Sequence, residues 1–117
     1  MEFSENKPIY IQIVDYFCGQ ILEKKWTPED RIPSVRDIAV KMEVNPNTAM
    51  RAFHYLQKKN ILFNQRGVGY FVEENAYQKV LELRRDEFIR NKLPVFFKEM
   101  KQLGFTCSDL ERLYREE

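Results

Sequence analysis

Residues 31–72, RIPSVRDIAVKMEVNPNTAMRAFHYLQKKNILFNQRGVGYFV, constrain the fold more than any other part of the chain. Two helix starts stand close together in this stretch. Ser34 and Asp37 form an S-x-x-D pair, in which the hydroxyl takes a free amide of the first turn and the carboxylate reaches back. Asn45 followed by Pro46 is the second start, an Asn cap with proline at the first helical position, where its missing N–H costs nothing. Val35, Ile38, Ala39 and Met42 give the first of these helices its buried face. In the second, Ala49, Ala52, Phe53 and Leu56 fall at i, i+3, i+4 and i+7 and face inward. Glu43-Val44 is the turn between them. By the same count Asn47, Met50, Arg51, His54, Tyr55 and Lys58 point outward, and Asn60 serves as a left-handed stop. Residues 61–63 and 70–72 are short strand candidates around Gly67 and Gly69, which allow a tight tip and a close backbone approach.

Upstream, residues 1–7 are polar and expected to fray. Pro8 opens a helix whose apolar stripe is Ile9, Ile13, Phe17 and Ile21, with Tyr10 and Val14 beside it; Lys24 and Lys25 suit its C-terminal end, and Thr27-Pro28 closes it. This first helix reads as scaffold. The order helix, helix, helix, hairpin is that of a winged helix. The reading is therefore a mostly α chain with a small β-hairpin, a winged helix-turn-helix in residues 1–75 and a helical tail in 76–117. In the tail, Tyr77, Val80, Leu81, Phe88 and Ile89 lie on one side of a helix that Leu93-Pro94 should break or kink. A second piece carries Val95, Phe96, Phe97, Met100 and Leu103 and stops at Gly104, and Thr106 with Asp109 caps a last short helix. About forty residues in two or three helices cannot enclose that many aromatics alone. Some of this surface must meet the winged helix or another subunit.

Composition bounds the function. The 117 residues make one compact domain with at most a small appendage. No run approaches the roughly eighteen apolar residues of a membrane span, and the N-terminus lacks the pattern of a secretion signal. Cys18, Cys107 and the single histidine supply neither a disulfide framework nor a common zinc pattern. The cytosol is the expected compartment, with no metal and no cofactor. Net charge is +1, but residues 31–66 hold seven basic residues against two acidic, a local +5. A basic footprint on a neutral protein suits a binder that relies on a fitted surface rather than bulk charge. His54 has no nucleophile or acid at a useful spacing, and an enzyme is not expected.

A helix-turn-helix works because its second helix enters the major groove of double-stranded DNA. Asn45, Asn47 and Thr48 would meet phosphates and base edges there through amides, hydroxyl and helix N–H groups. Arg51, one turn on, would reach a phosphate or a guanine edge. Arg66-Gly67-Val68-Gly69 would insert in the minor groove or lie along a phosphate row. The competing use of the same surface is a winged-helix module for protein contacts without sequence-specific DNA binding.

Five segments carry a family resemblance: PIYIQI from Pro8, RIPSVRDIA from Arg31, VNPNT from Val44, RAF from Arg51 and RGVGYFV from Arg66. In this order and spacing they resemble the DNA-binding domain of GntR-family bacterial transcription regulators, and the short tail is similar to the YtrA-type subfamily. The resemblance implies a homodimer held by the tail, each winged helix binding half of an inverted-repeat operator, usually as a repressor. It places DNA contacts at Arg36, Asn45, Asn47, Thr48, Arg51 and Gly67, to which Ser34, Tyr55 and Arg66 add themselves by position. Leu81, Phe88, Val95, Phe96, Phe97 and Met100 are the expected dimerisation residues. The resemblance names no small-molecule effector. Glu29 and Asn60 stand where the family often has glycine.

Overall fold

The computed structural model describes residues 6–117. The first helix begins where proline permits. Pro8 is its N-cap, its carbonyl accepts the N–H groups of Ile11 and Gln12, and α1 runs Ile9–Leu22. The buried Gln12 side chain donates to the Lys7 carbonyl at 2.9 Å, and the Lys7 ammonium pairs with Asp15 at 2.9 Å. Lys7 is thus tied down rather than frayed, while the expectation for residues 1–5 lies outside the described residues. Ile13, Val14, Phe17, Cys18 and Ile21 are buried; Ile9, the first member of the apolar stripe, stays exposed.

The two capped starts form as the residues require. Helix α2 spans Val35–Met42 behind a complete capping box, with Ser34 Oγ accepting from the Asp37 N–H at 3.1 Å and Asp37 Oδ2 from the Ser34 N–H at 3.3 Å. Helix α3 spans Pro46–Lys58, and Asn45 Oδ1 accepts from the Asn47 N–H at 2.8 Å. Ala49, Ala52, Phe53 and Leu56 are fully buried. Small residues on α3 let α1 and α2 approach, and Phe53 fills the space between α1 and the hairpin, 5.1 Å from the Phe17 ring and 4.7 Å from Tyr70.

Strands β1 (Leu62–Gln65) and β2 (Gly69–Val72) pair antiparallel, with Leu62 opposite Val72 and Gln65 opposite Gly69. A third edge escapes sequence reasoning. Residues 29–32 lie along β2, with Ile32 N–H donating to the Tyr70 carbonyl at 3.0 Å and an isolated bridge joining Arg31 to Phe71. The wing is thereby fastened to the chain that leads into α2.

The first compact unit ends at Leu81, inside helix α4 (Ala76–Glu87), whose Ala76 and Val80 belong to the core of that unit. The second comprises Glu82–Glu117. Leu93-Pro94 does not break the helix there. Residues Phe88–Lys92 form a π-helical turn, with the Leu93 N–H reaching back to the Phe88 carbonyl, and α5 follows at Leu93–Gln102. Proline lacks the donor for an ordinary helical bond and its ring crowds the carbonyl four residues back; the wider turn relieves both. Helix α6 (Cys107–Arg115) starts from a second complete capping box, Thr106 with Asp109. The two Thr106 bonds hold the Asp109 carboxyl below its ordinary pKa, as Thr27 does for Asp30.

Four segments stop in the same way. Left-handed Lys24, Glu43, Asn60 and Gly104 are each followed by an N–H that reaches a carbonyl five residues back. A fifth left-handed residue, Glu29 at φ 74°, sits at the turn before the third edge. Non-glycine residues there carry about 1–2 kcal/mol of steric cost, partly offset by the entropy glycine loses on folding. Glu29→Gly is therefore expected to stabilise the chain by about 0.5–1 kcal/mol. The check is a higher urea midpoint at unchanged slope; a lower midpoint contradicts it.

Candidate nucleic-acid interface

Helix α3 presents one exposed polar stripe, Asn47, Arg51, His54 and Lys58, at spacings of four, three and four residues. That is a single helical face, opposite the buried Ala49, Ala52, Phe53 and Leu56. Met50 and Tyr55, also expected outside, are half-buried, and Tyr55 packs against the core with the Lys59 ammonium 5.7 Å from its ring centroid. Tyr55 thus lies at the margin of the face rather than on it. Thr48 is half-buried as well.

The start of α3 differs from expectation in one chemical respect. Pro46 has no N–H, the Asn47 N–H is taken by Asn45 Oδ1, and the Thr48 N–H donates to the Asn45 carbonyl at 2.9 Å. The first turn has no spare backbone donor for a phosphate. What it offers are side chains: the Asn45 and Asn47 amides and the Thr48 hydroxyl.

The start of α2 is the opposite case. Its capping box uses the Asp37 N–H and leaves those of Val35 and Arg36 without a partner among the described residues. The Ser34 hydroxyl accepts in the box but keeps its own proton to donate. The Arg36 side chain is exposed and forms no ion pair among the described residues; the neighbouring Asp37 carboxylate is engaged with Ser34. Two free N–H groups, a hydroxyl and a guanidinium at a helix N-terminus make a seat for an anion.

At the wing, Gln65 and Val68 close the tip through a 2.9 Å backbone bond, with Gly67 left-handed at φ 78° and Arg66 exposed. Nothing lies within 4 Å of the place a Gly67 side chain would occupy. Gly69 is different: at φ 144°, a Cβ there would meet Arg31 Nε at 3.0 Å. The close approach that this glycine permits is therefore made by Arg31. Arg31 was not among the contacts expected from sequence; only its part in the local positive charge hinted at it. Arg31, Arg36, Arg51, Lys58 and Arg66 form no ion pair among the described residues. Of these, Arg51 is held by an aromatic ring, its guanidinium carbon 4.1 Å from the Tyr10 centroid.

In the second unit, Phe88, Val95, Phe96 and Phe97 are exposed by 41–61%. Leu81, at the end of the first unit, is half-buried, and Met100 is buried beside Leu103, Leu110 and Leu113 at a cavity of about 190 Å³. Met100 thus packs within its own unit, and the open face is aromatic. No cluster of three or more His, Cys, Asp or Glu among the described residues is placed to hold a metal, and no helix among them is long and apolar enough to cross a membrane.

Comparison with known proteins identifies this architecture. The sequence pattern of bacterial regulatory proteins of the gntR family matches residues 9–72. The HTH-type transcriptional regulator YhcF of Bacillus subtilis is 36% identical over 109 residues, covering 93% of this chain and 88% of that protein. The HTH-type transcriptional repressor YtrA of the same organism is 32% identical over 113 residues, covering 93% and 81%. A crystal structure of a GntR-family transcriptional regulator from Bacteroides thetaiotaomicron superposes with a TM-score of 0.78 at 38% identity, covering 93% of this chain and 95% of that one. The match runs from α1 through the wing and, in these relatives, on through the helical tail: the chain belongs to the GntR family, as a YtrA-type transcription regulator with a DNA-binding winged helix and not an enzyme.

Proposed function

We propose that this regulator binds an inverted-repeat operator as a homodimer and represses transcription from the promoter it covers. The observation that carries the reading is the set of cations Arg31, Arg36, Arg51, Lys58 and Arg66, on α3, at the start of α2 and along the wing, which form no ion pair among the described residues. Exposed cations left without counter-charges are what a polyanion needs. In this reading α3 enters the major groove with Asn45, Asn47, Thr48 and Arg51 toward the bases, and Tyr55 flanks it. Ser34 and Arg36 hold a phosphate at the start of α2. Arg66 and Gly67 follow the backbone beside the groove. The work is divided between residues 1–75, which read DNA, and 76–117, which pair two chains. In the second unit Phe88, Val95, Phe96 and Phe97 form the pairing face and Met100 supports it from beneath; Leu81, at the end of the first unit, is a further pairing residue in this reading. The relative YtrA is a repressor by name, which favours repression over activation here. A cytoplasmic setting follows from the DNA target.

Arg51→Ala tests the reading directly. It removes an exposed cation that no core residue needs, so the fold should persist while operator affinity falls by about 1–3 kcal/mol per half-site contact. Operator duplexes come from selection on a random pool, and gel shifts at several salt concentrations supply the numbers. Wild-type affinity should fall steeply with salt. Equal binding to selected and scrambled duplexes would leave the protein-contact reading as the better one.

A further inference from the structure

The segment PIYIQI lies on α1, outside the helices that meet DNA, and α1 by itself reads as scaffold. We propose that Tyr10 is a positioning residue for DNA recognition, its ring holding the Arg51 guanidinium in the orientation that meets the groove. This rests on the reading above in which Arg51 contacts DNA.

The Arg51 side chain is exposed and makes no hydrogen bond or ion pair among the described residues. Its one fixed partner there is the Tyr10 ring, 4.1 Å from ring centroid to guanidinium carbon. Tyr10 is half-buried but is not one of the residues packed against the hydrophobic core, unlike Tyr16, Tyr55, Tyr70 and Tyr77. Its ring is thus not explained by core packing. A guanidinium stacked by its flat face on a ring keeps its N–H donors, which radiate in its plane, for phosphate or base oxygens. A free arginine loses much rotamer freedom on binding; one already stacked loses less.

The rest of the segment fixes the ring. Pro8 starts α1, its carbonyl accepts from Ile11 and Gln12, and the Gln12 amide and Asp15 carboxylate hold Lys7 against the first turn. Tyr10 stands on that turn, so the ring is anchored to a helix that packs on α3 through Phe17 and Phe53. The polar and special residues of the segment then have uses: proline and glutamine set the helix start, and tyrosine holds the arginine.

The experiment is a double-mutant cycle on duplexes selected from a random pool by the wild-type chain. Affinities are measured for Tyr10→Phe, Tyr10→Leu, Arg51→Ala and the Tyr10→Leu/Arg51→Ala pair. The phenylalanine keeps the face and should bind as wild type. The leucine should weaken binding by about tenfold where Arg51 is present and by little where it is absent. Damage to the fold by leucine would weaken both backgrounds alike, so equal losses overturn the proposal. So does wild-type affinity in Tyr10→Leu while Arg51→Ala binds poorly, a result that leaves the DNA contact of Arg51 standing. If Arg51→Ala itself binds as wild type, the contact and the positioning role fall together.

Discussion

Phe53→Ala is expected to cost about 3–5 kcal/mol and to lower the melting temperature of the winged helix by on the order of 20 °C. Phe53 is fully buried and touches two otherwise separate parts of the fold, the Phe17 ring on α1 and the Tyr70 ring on the wing. Truncation leaves a cavity that neither neighbour fills easily. Phe17 is pinned by Trp26 at 5.0 Å on its other side, and β2 is pinned by its pairing with β1 and with residues 29–32. A small domain holds only about 5–15 kcal/mol in total, so this single site carries a large share. Circular dichroism melts of wild type, Phe53→Leu and Phe53→Ala give the series, and leucine should recover a substantial part of the loss. A Phe53→Ala midpoint within a few degrees of wild type would mean that the helix-to-wing contact is not where the stability lies.

The same residue shows why so much of the fold was legible. Phe53 belongs to a run with helical spacing between an Asn-Pro start and an Asn stop, and all three signals are local. The capping boxes at Ser34 and Thr106 and the left-handed Asn60 are local in the same sense, and each is present as read. What escaped were features whose cause is distant or whose residue type is neutral. Lys24 and Glu43 end their helices in the left-handed region without the glycine or asparagine that would announce it; α1 stops at Leu22, close to the Lys24-Lys25 end read from charge but short of the closing Thr27-Pro28. Residues 29–32 lack strand alternation, and their pairing with β2 exists only because the wing folds back on them. At Leu93-Pro94 sequence rules offered a break or a kink; the helix is not broken, and the turn before the proline widens to a π turn that no residue pattern announces.

The candidate interface divides along the same line. Exposure of Asn47, Arg51, His54 and Lys58 follows from counting residues around a helix. Counting says nothing about the spent N–H groups at the start of α3, the spare ones at the start of α2, Arg31 against Gly69, or Arg51 on Tyr10. Those depend on which atoms tertiary contacts leave free, and no periodicity reports that.

The second large effect is expected in the tail. Phe88→Glu/Val95→Glu should convert the proposed dimer to a monomer and weaken binding to a full inverted repeat by about a hundredfold or more, because the second half-site then no longer binds intramolecularly. Both side chains are at least half exposed in the single chain and line one concavity of about 470 Å³ with Phe96. In a monomer the acidic replacements therefore face water and cost little. In a dimer that buries this face they place unpaired charges in a desolvated contact. Point variants are cleaner than truncation after residue 75, since Ala76 and Val80 lie in the core of the first unit and their loss would damage the reader itself. Sedimentation gives the state of assembly, and parallel titrations on full-operator and half-site duplexes give the coupling. The half-site affinity of the variant monomer should match that of a single wild-type winged helix. Only the advantage of the full site should vanish. A variant that still sediments as a dimer would move the pairing surface elsewhere on the chain. A monomer that binds the full operator as tightly as wild type would mean that one winged helix suffices, and the inverted repeat would lose its physical reason.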